Sequence, residues 1–207
     1  MARKTKMRGV ASASASDDAR AANPLAHTWE HVPQLVVFDL DFTLWQPEMY
    51  ELDGAPFRKH PTTGVVTDRS GEQVHFFPAV HGVLSLLELD PQFKDATEVA
   101  VASKTTEPHW AKTCMRLLDV ALADGSRRSL QQVVAYEAIY PRNKRVHFEQ
   151  LRDHSGVAYE DMLFFDNESG NIRDISKLGV VCSYCPRGLS NGAWLAGMEA
   201  FQQAKRQ

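Results

Sequence analysis

Two acids stand one residue apart in "LVVFDLDFTLW", residues 35–45, directly after the apolar, β-branched run 35–38. Such a run reads as a strand buried on both faces, and a carboxylate buried at its end is costly unless something pairs with it. Asp39 and Asp41 therefore call for partners elsewhere in the chain. Matching groups follow in order: Ser103 closes "EVAVAS", Lys144 opens "KRVHFEQL", and Asp166 with Asn167 ends "MLFFDN". Two acids, a hydroxyl, an ammonium and an acid beside an amide are the parts needed to move a phosphoryl group. They offer oxygen ligands for a hard cation, a positive clamp, a donor to a phosphate oxygen and a carboxylate that can attack.

These groups can act together only if the fold brings them to one place. Beyond Leu35, β-branched and aromatic runs alternate with segments of helical period, the pattern of βα units around a parallel sheet. The expected strands are 35–40, 98–103, 132–136, 162–166 and 179–184. Each chemically suggestive residue then falls at a strand end or at the start of the next helix, and in a doubly wound sheet those ends converge. The expected fold is a three-layer α/β, Rossmann-like sheet of about five strands with helices on both faces.

"EPHWAKTCMRLLDVAL" places Trp110, Cys114, Leu117, Leu118 and Ala121 on one helical face, with Thr106 as its N-cap and Pro108 in its first turn. A second stripe, Ile172, Ile175 and Leu178, stops at Gly179, and a final helix is expected at 191–204. "VVTDRSGEQVHFF", 65–77, reads as a β-hairpin turning at Arg69–Gly71, inserted after the first strand and lying over the carboxyl ends of the sheet. No segment before Ser103 is long enough for a large cap domain. Trp45, Tyr50, Phe57, Phe76 and Phe77 read as packing for the hairpin, with a wall for the substrate as the alternative, and Thr43 reads as a turn residue.

With 207 residues, 43% of them hydrophobic, the chain fills one core, expected over 33–207. A formal charge of -3 gives no general attraction to nucleic acid or anionic membrane, and no apolar run approaches the ~20 residues of a transmembrane helix. Neither is an expected partner. Three cysteines make no disulfide framework, which fits a reducing, cytoplasmic setting, and "CSYC" without a second ligand pair reads as strand residues. Residues 1–32, with a basic start and a Ser/Ala repeat, read as a disordered tail; Asp17 and Asp18 argue against an organelle transit segment.

In this order, "VFDLDFTLW", "VASKT", "IYPRNKRVHFEQL" and "FFDNESGNIRDISKLGV" resemble the motifs of the magnesium-dependent phosphatase-1 family of the haloacid dehalogenase (HAD) superfamily, over residues 33–201. The resemblance implies a HAD-type fold and a phosphomonoesterase working through an aspartyl-phosphate. Asp39 would be the nucleophile, Asp41 the acid and base, Ser103 a donor to a phosphate oxygen, and Lys144 the cation that neutralises that oxygen and holds Asp39 ionised. Mg²⁺ would be held by Asp39, Asp41 (by side chain or backbone carbonyl), Asp166 and Asn167. Asn167 departs from the family, where a second acid is expected; the related carboxyl-terminal-domain phosphatases resemble this chain there, and an amide oxygen still ligates. "LADGSRRSL", 122–130, is longer than the family's usual link and reads as a surface loop. The implied substrate is a phosphotyrosine protein or a small sugar phosphate, taken by a monomer. A carboxyl-terminal-domain-type Ser/Thr phosphatase and a non-catalytic phospho-ligand binder are the alternatives.

Overall fold

The computed structural model describes Leu25 and residues 27–206. The chain runs β1 (Leu35–Phe38), β2 (Trp45–Gln46), β3 (Arg58–Lys59), β4 (Val66–Thr67), β5 (Gln73–Phe76), α1 (Ala79–Leu89), β6 (Glu98–Ser103) and α2 (Pro108–Leu117). It continues through β7 (Asp119–Ala121), β8 (Arg127–Ser129), α3 (Leu130–Val133), β9 (Tyr136–Ile139), α4 (Lys144–Ser155), β10 (Met162–Asp166), α5 (Ser169–Ser176), β11 (Val181–Tyr184) and α6 (Asn191–Lys205). The central sheet has the order β11-β10-β1-β6-β9, and every neighbouring pair in it is parallel.

Alternation along β1 divides the core. Val36 and Phe38 join one cluster with Val83 of α1, Ala111 and Cys114 of α2, and Trp194 and Phe201 of α6. Leu35 and Val37 face the other way, onto Phe148 and Leu151 of α4 and Ile175 of α5. Helices therefore cover both faces, which is why β1 carries no polar residue until Asp39.

Four expectations shift. The strand placed at 132–136 lies at 136–139, because Ser129 and Gln132 form a reciprocal capping box that turns 130–133 into a short helix. The helix expected to reach Ala121 ends at Leu117, since Asp119–Ala121 pairs antiparallel with Arg127–Ser129, and its N-cap is Glu107, not Thr106. Residues 122–130 are thus largely the turn and second strand of a hairpin, closed where Gly125 adopts φ 84° and the Asp124 carboxylate accepts from Ser126 N. The hairpin at 65–77 is part of a larger four-stranded antiparallel sheet, β2-β5-β4-β3.

The reading of 1–32 as a tail lies outside the described residues up to Pro24 and at Ala26. From 27 to 32 the chain is instead held to the domain. Trp29 N donates to Gln92 Oε1 at 2.8 Å, His31 N donates to Gln202 Oε1 at 2.9 Å, and Leu25 is buried against the core. Among the described residues no helix is long and apolar enough to cross a membrane.

His147, on α4, is fully buried, stacks on Tyr140 with ring centroids 4.2 Å apart, and bonds through Nε2 to the Tyr140 carbonyl at 2.9 Å. Burial lowers its pKa to about 4. A base with its pKa depressed in the folded state binds fewer protons there than when unfolded, so folding stability falls as pH drops from about 6.5 to about 4. Replacing His147 by Gln should flatten that dependence by on the order of 3 kcal/mol across the window. Urea unfolding of both proteins at several pH values checks it; parallel curves would remove His147 from the account.

Candidate active site

The chain leaves β1 through a tight turn in which Thr43, Leu44 and Trp45 all donate backbone N–H groups to the Leu40 carbonyl. Phe42 takes a left-handed φ of 51°, which a non-glycine residue adopts at some cost. The turn keeps Asp39 and Asp41 at the sheet's carboxyl edge. Ser103 ends the neighbouring β6 and Asp166 ends β10 on the other side. Lys144 is the first residue of α4, whose Asn143 cap accepts from Arg145 N. Asp39, Asp41, Ser103, Lys144 and Asn167 all line one cleft of about 150 Å³, and Asp166 lies fully buried beside Lys144.

Lys144 is 2% exposed and is the electrostatic centre. Its Nζ donates to Asp39 Oδ1 at 2.5 Å, sits 3.1 Å from Asp166 Oδ2, and also donates to the Ala102 carbonyl. Burial pushes the Asp39 carboxyl up, to about 7, against the pull of Lys144 and with the added push of Asp166 and Asp41. Asp41 is raised to about 6, again chiefly by burial; the Trp45 indole N–H at 2.7 Å and the Met49 N–H oppose that rise, and the Glu48 charge adds to it. The charges do not balance: two carboxylates, Asp39 and Asp166, flank one ammonium, and a third, Asp41, lies in the same cleft.

Asp166 is held on every side. Its Oδ1 accepts from Glu168 N at 2.7 Å, and Asn171 Nδ2 donates to both of its oxygens, at 3.1 and 2.9 Å. Asn171 Oδ1 in turn accepts from Lys104 Nζ at 3.0 Å, which fixes the amide's orientation. Thr43 ties the two halves together: its Oγ1 accepts from Asn167 N at 3.1 Å and lies 3.3 Å from Asn167 Oδ1. Ser103 Oγ accepts from Thr105 N at 3.3 Å, leaving its hydroxyl hydrogen to donate elsewhere.

Several contributors escape the sequence reading. Lys104, Glu168 and Asn171 line the cleft, as do Glu48 and Tyr50, the last of these among the aromatics read as hairpin packing or a substrate wall. The hairpin at 65–77 does not line the cleft; the turn Met49–Glu51 just before it does, so the expected cover over the sheet edge is corrected to that turn. Next to the antiparallel sheet, Phe57 packs edge-on against Trp110 of α2, with ring centroids 6.1 Å apart. Tyr50 stands 64% exposed at the cleft, while Trp45 is buried. Cys182 and Cys185 pack on opposite core layers, and burial raises both thiols to about 12, so "CSYC" offers no reactive pair.

Among the described residues no three His, Cys, Asp or Glu side chains converge as a metal cluster. The oxygens at hand are the Asp39 and Asp166 carboxylates, the Asn167 amide and backbone carbonyls. That all-oxygen set, with its surplus negative charge, fits a hard divalent cation.

The profile of the family described as Acid Phosphatase matches residues 31–204. Human magnesium-dependent phosphatase 1 is 35% identical over 174 residues, 84% of this chain and 90% of that protein. A HAD-like hydrolase superfamily protein of Schizosaccharomyces pombe is 35% identical over 149 residues, 72% of this chain and 83% of that one. The crystal structure of a haloacid dehalogenase-like family hydrolase from Xanthomonas campestris superposes with a TM-score of 0.55 at 13% identity, covering 85% of this chain and 99% of that one, and shares the fold.

Proposed function

Because this chain belongs to the acid phosphatase family of HAD-like hydrolases and is a phosphatase, we propose that it is a Mg²⁺-dependent phosphomonoesterase in which Asp39 is the nucleophile. The observation that carries this reading is the Lys144 bridge between Asp39 and Asp166 beneath the cleft. Asp39 attacks phosphorus as the bond to the ester oxygen breaks, and Asp41 gives its proton to that leaving oxygen. Water then attacks the aspartyl-phosphate while Asp41 takes its proton, returning Asp39 and releasing phosphate. Burial suits Asp41 to this exchange, because an acid with a pKa near 6 both gives and accepts a proton at neutral pH.

Ser103 donates to a phosphate oxygen, and Lys144 neutralises it and orients Asp39. Asp39, Asp166, Asn167 and the Asp41 backbone carbonyl would hold the cation, since the Asp41 carboxylate is already directed to Trp45 and Met49. Mg²⁺ there supplies positive charge against the phosphate oxygens. Asn171 acts through Asp166, so Asn171→Ala should raise the Mg²⁺ needed for half-maximal activity about 10- to 100-fold, and weaken Mg²⁺ binding by calorimetry in step. Unchanged binding would leave Asn171 a purely structural residue.

No large cap covers the site, so both a phosphotyrosine protein and a small sugar phosphate can present a phosphate to it. Phosphate release from p-nitrophenyl phosphate, a phosphotyrosine peptide, a phosphoserine peptide and a sugar phosphate, with millimolar Mg²⁺ and with EDTA, tests the reading. Release that requires the metal is expected from the first two or from the sugar phosphate. A preference for phosphoserine would instead point to a carboxyl-terminal-domain-type enzyme, and metal-independent release would contradict the reading.

A further inference from the structure

Glu48 and Glu168 line the same cleft as Asp39, Ser103 and Lys144, so the leaving group of a phosphate seated there lies beside both carboxylates. The Glu48 carboxylate accepts from the Tyr50 hydroxyl and, in a capping box, from Glu51 N, and makes no ion pair among the described residues. Burial is the largest influence on Glu48, but the like charges of Glu51 and Glu168 also push its carboxyl up, so Glu168, which lines the same cleft, lies within electrostatic reach of it. Lys104, the cation lining this cleft besides Lys144, is already taken: its Nζ is 3.0 Å from Glu168 Oε2 and 3.0 Å from Asn171 Oδ1. Glu48, Glu168 and Lys104 together leave one net negative charge where the leaving group emerges.

Resting on the phosphatase reading above, we propose that Glu48 and Glu168 form an electrostatic filter at the mouth that rejects phosphomonoesters bearing a second anionic group close to the ester. The accepted class is a monoester whose leaving group is neutral or cationic near the phosphate. Bisphosphates, phosphorylated short acids and nucleoside polyphosphates fall outside it. The selection acts on approach and binding, and it leaves the chemical step at Asp39 untouched.

The test uses two esters of nearly equal shape, 3-carbamoylphenyl phosphate and 3-carboxyphenyl phosphate, and reads the ratio of their kcat/KM values. At low salt the full-length protein should prefer the neutral ester about five- to tenfold. The preference should shrink in Glu48→Gln and shrink further or invert in Glu48→Gln/Glu168→Gln, where Lys104 is released. Salt near 1 M, with a screening length of about 3 Å, should erase most of it. The same ratio in wild type and both variants would overturn the filter. Failure to hydrolyse the neutral ester would overturn the phosphatase reading beneath it, so the two failures are distinct.

Discussion

Asp39→Asn abolishes turnover: kcat/KM falls at least about a thousandfold for every phosphomonoester, because the amide cannot form the acyl phosphate and no other carboxylate lies in its place. The loss should come without loss of the fold. Asp39 sits in a cluster with more carboxylates than cations, and its pKa is raised to about 7 from a usual value near 3.8. A carboxyl so raised stabilises the folded state at low pH and loses that contribution as pH climbs through the folded value. At pH 7 and above the ionised group is therefore a burden, and in EDTA the Asn variant should melt at or above the wild-type temperature. Residual activity above about a thousandth of wild type would count against Asp39 as nucleophile.

Lys144→Met has the opposite character, removing activity and stability together. The ammonium is 2% exposed and touches Asp39, Asp166 and the Ala102 carbonyl, while Asp166 is fully buried. Removing one member of such a group leaves uncompensated buried charge, which costs about 3–5 kcal/mol of stability. Activity should fall at least about a hundredfold, since the charge that meets the phosphate oxygen goes with it. The double variant Lys144→Met/Asp39→Asn should recover part of the stability and none of the activity. Urea unfolding separates these results, and a single variant as stable as wild type would show that the bridge does not hold the site.

The reactive residues were legible because buried charge is conspicuous. Asp39 and Asp166 end apolar runs whose burial is dictated by composition, Lys144 opens the helix that follows a strand, and a parallel sheet has only one edge where these chain positions can meet. What escaped was decided by short-range competition. Val133 and Val134 look like strand residues, yet the Ser129 and Gln132 capping box turns the chain before they can pair, and the strand forms four residues later than expected. The helix expected to reach Ala121 likewise gave way to a hairpin that the Asp124 and Gly125 turn closes.

The second rank of the site was harder to see. Asn171 follows Asp166 by five residues on the first turn of α5, a spacing that one helical turn brings back over the strand end. Its signal was present in "FFDNESGN", but it takes the loop geometry to aim the amide. Tyr50 stood among the aromatics that could pack the hairpin or wall the substrate, and the structure puts it at the cleft; Glu48 had no such signal, because its place there depends on the turn that follows β2.

The most direct measurement traps the covalent intermediate. The protein is mixed with substrate and Mg²⁺, acid-quenched within milliseconds, reduced with borohydride and mapped by peptide mass spectrometry. Reduction confined to Asp39, absent without Mg²⁺ and absent in Asp39→Asn, is the expected result. Turnover with no adduct at Asp39, or with an adduct on another residue, would contradict the account at its centre.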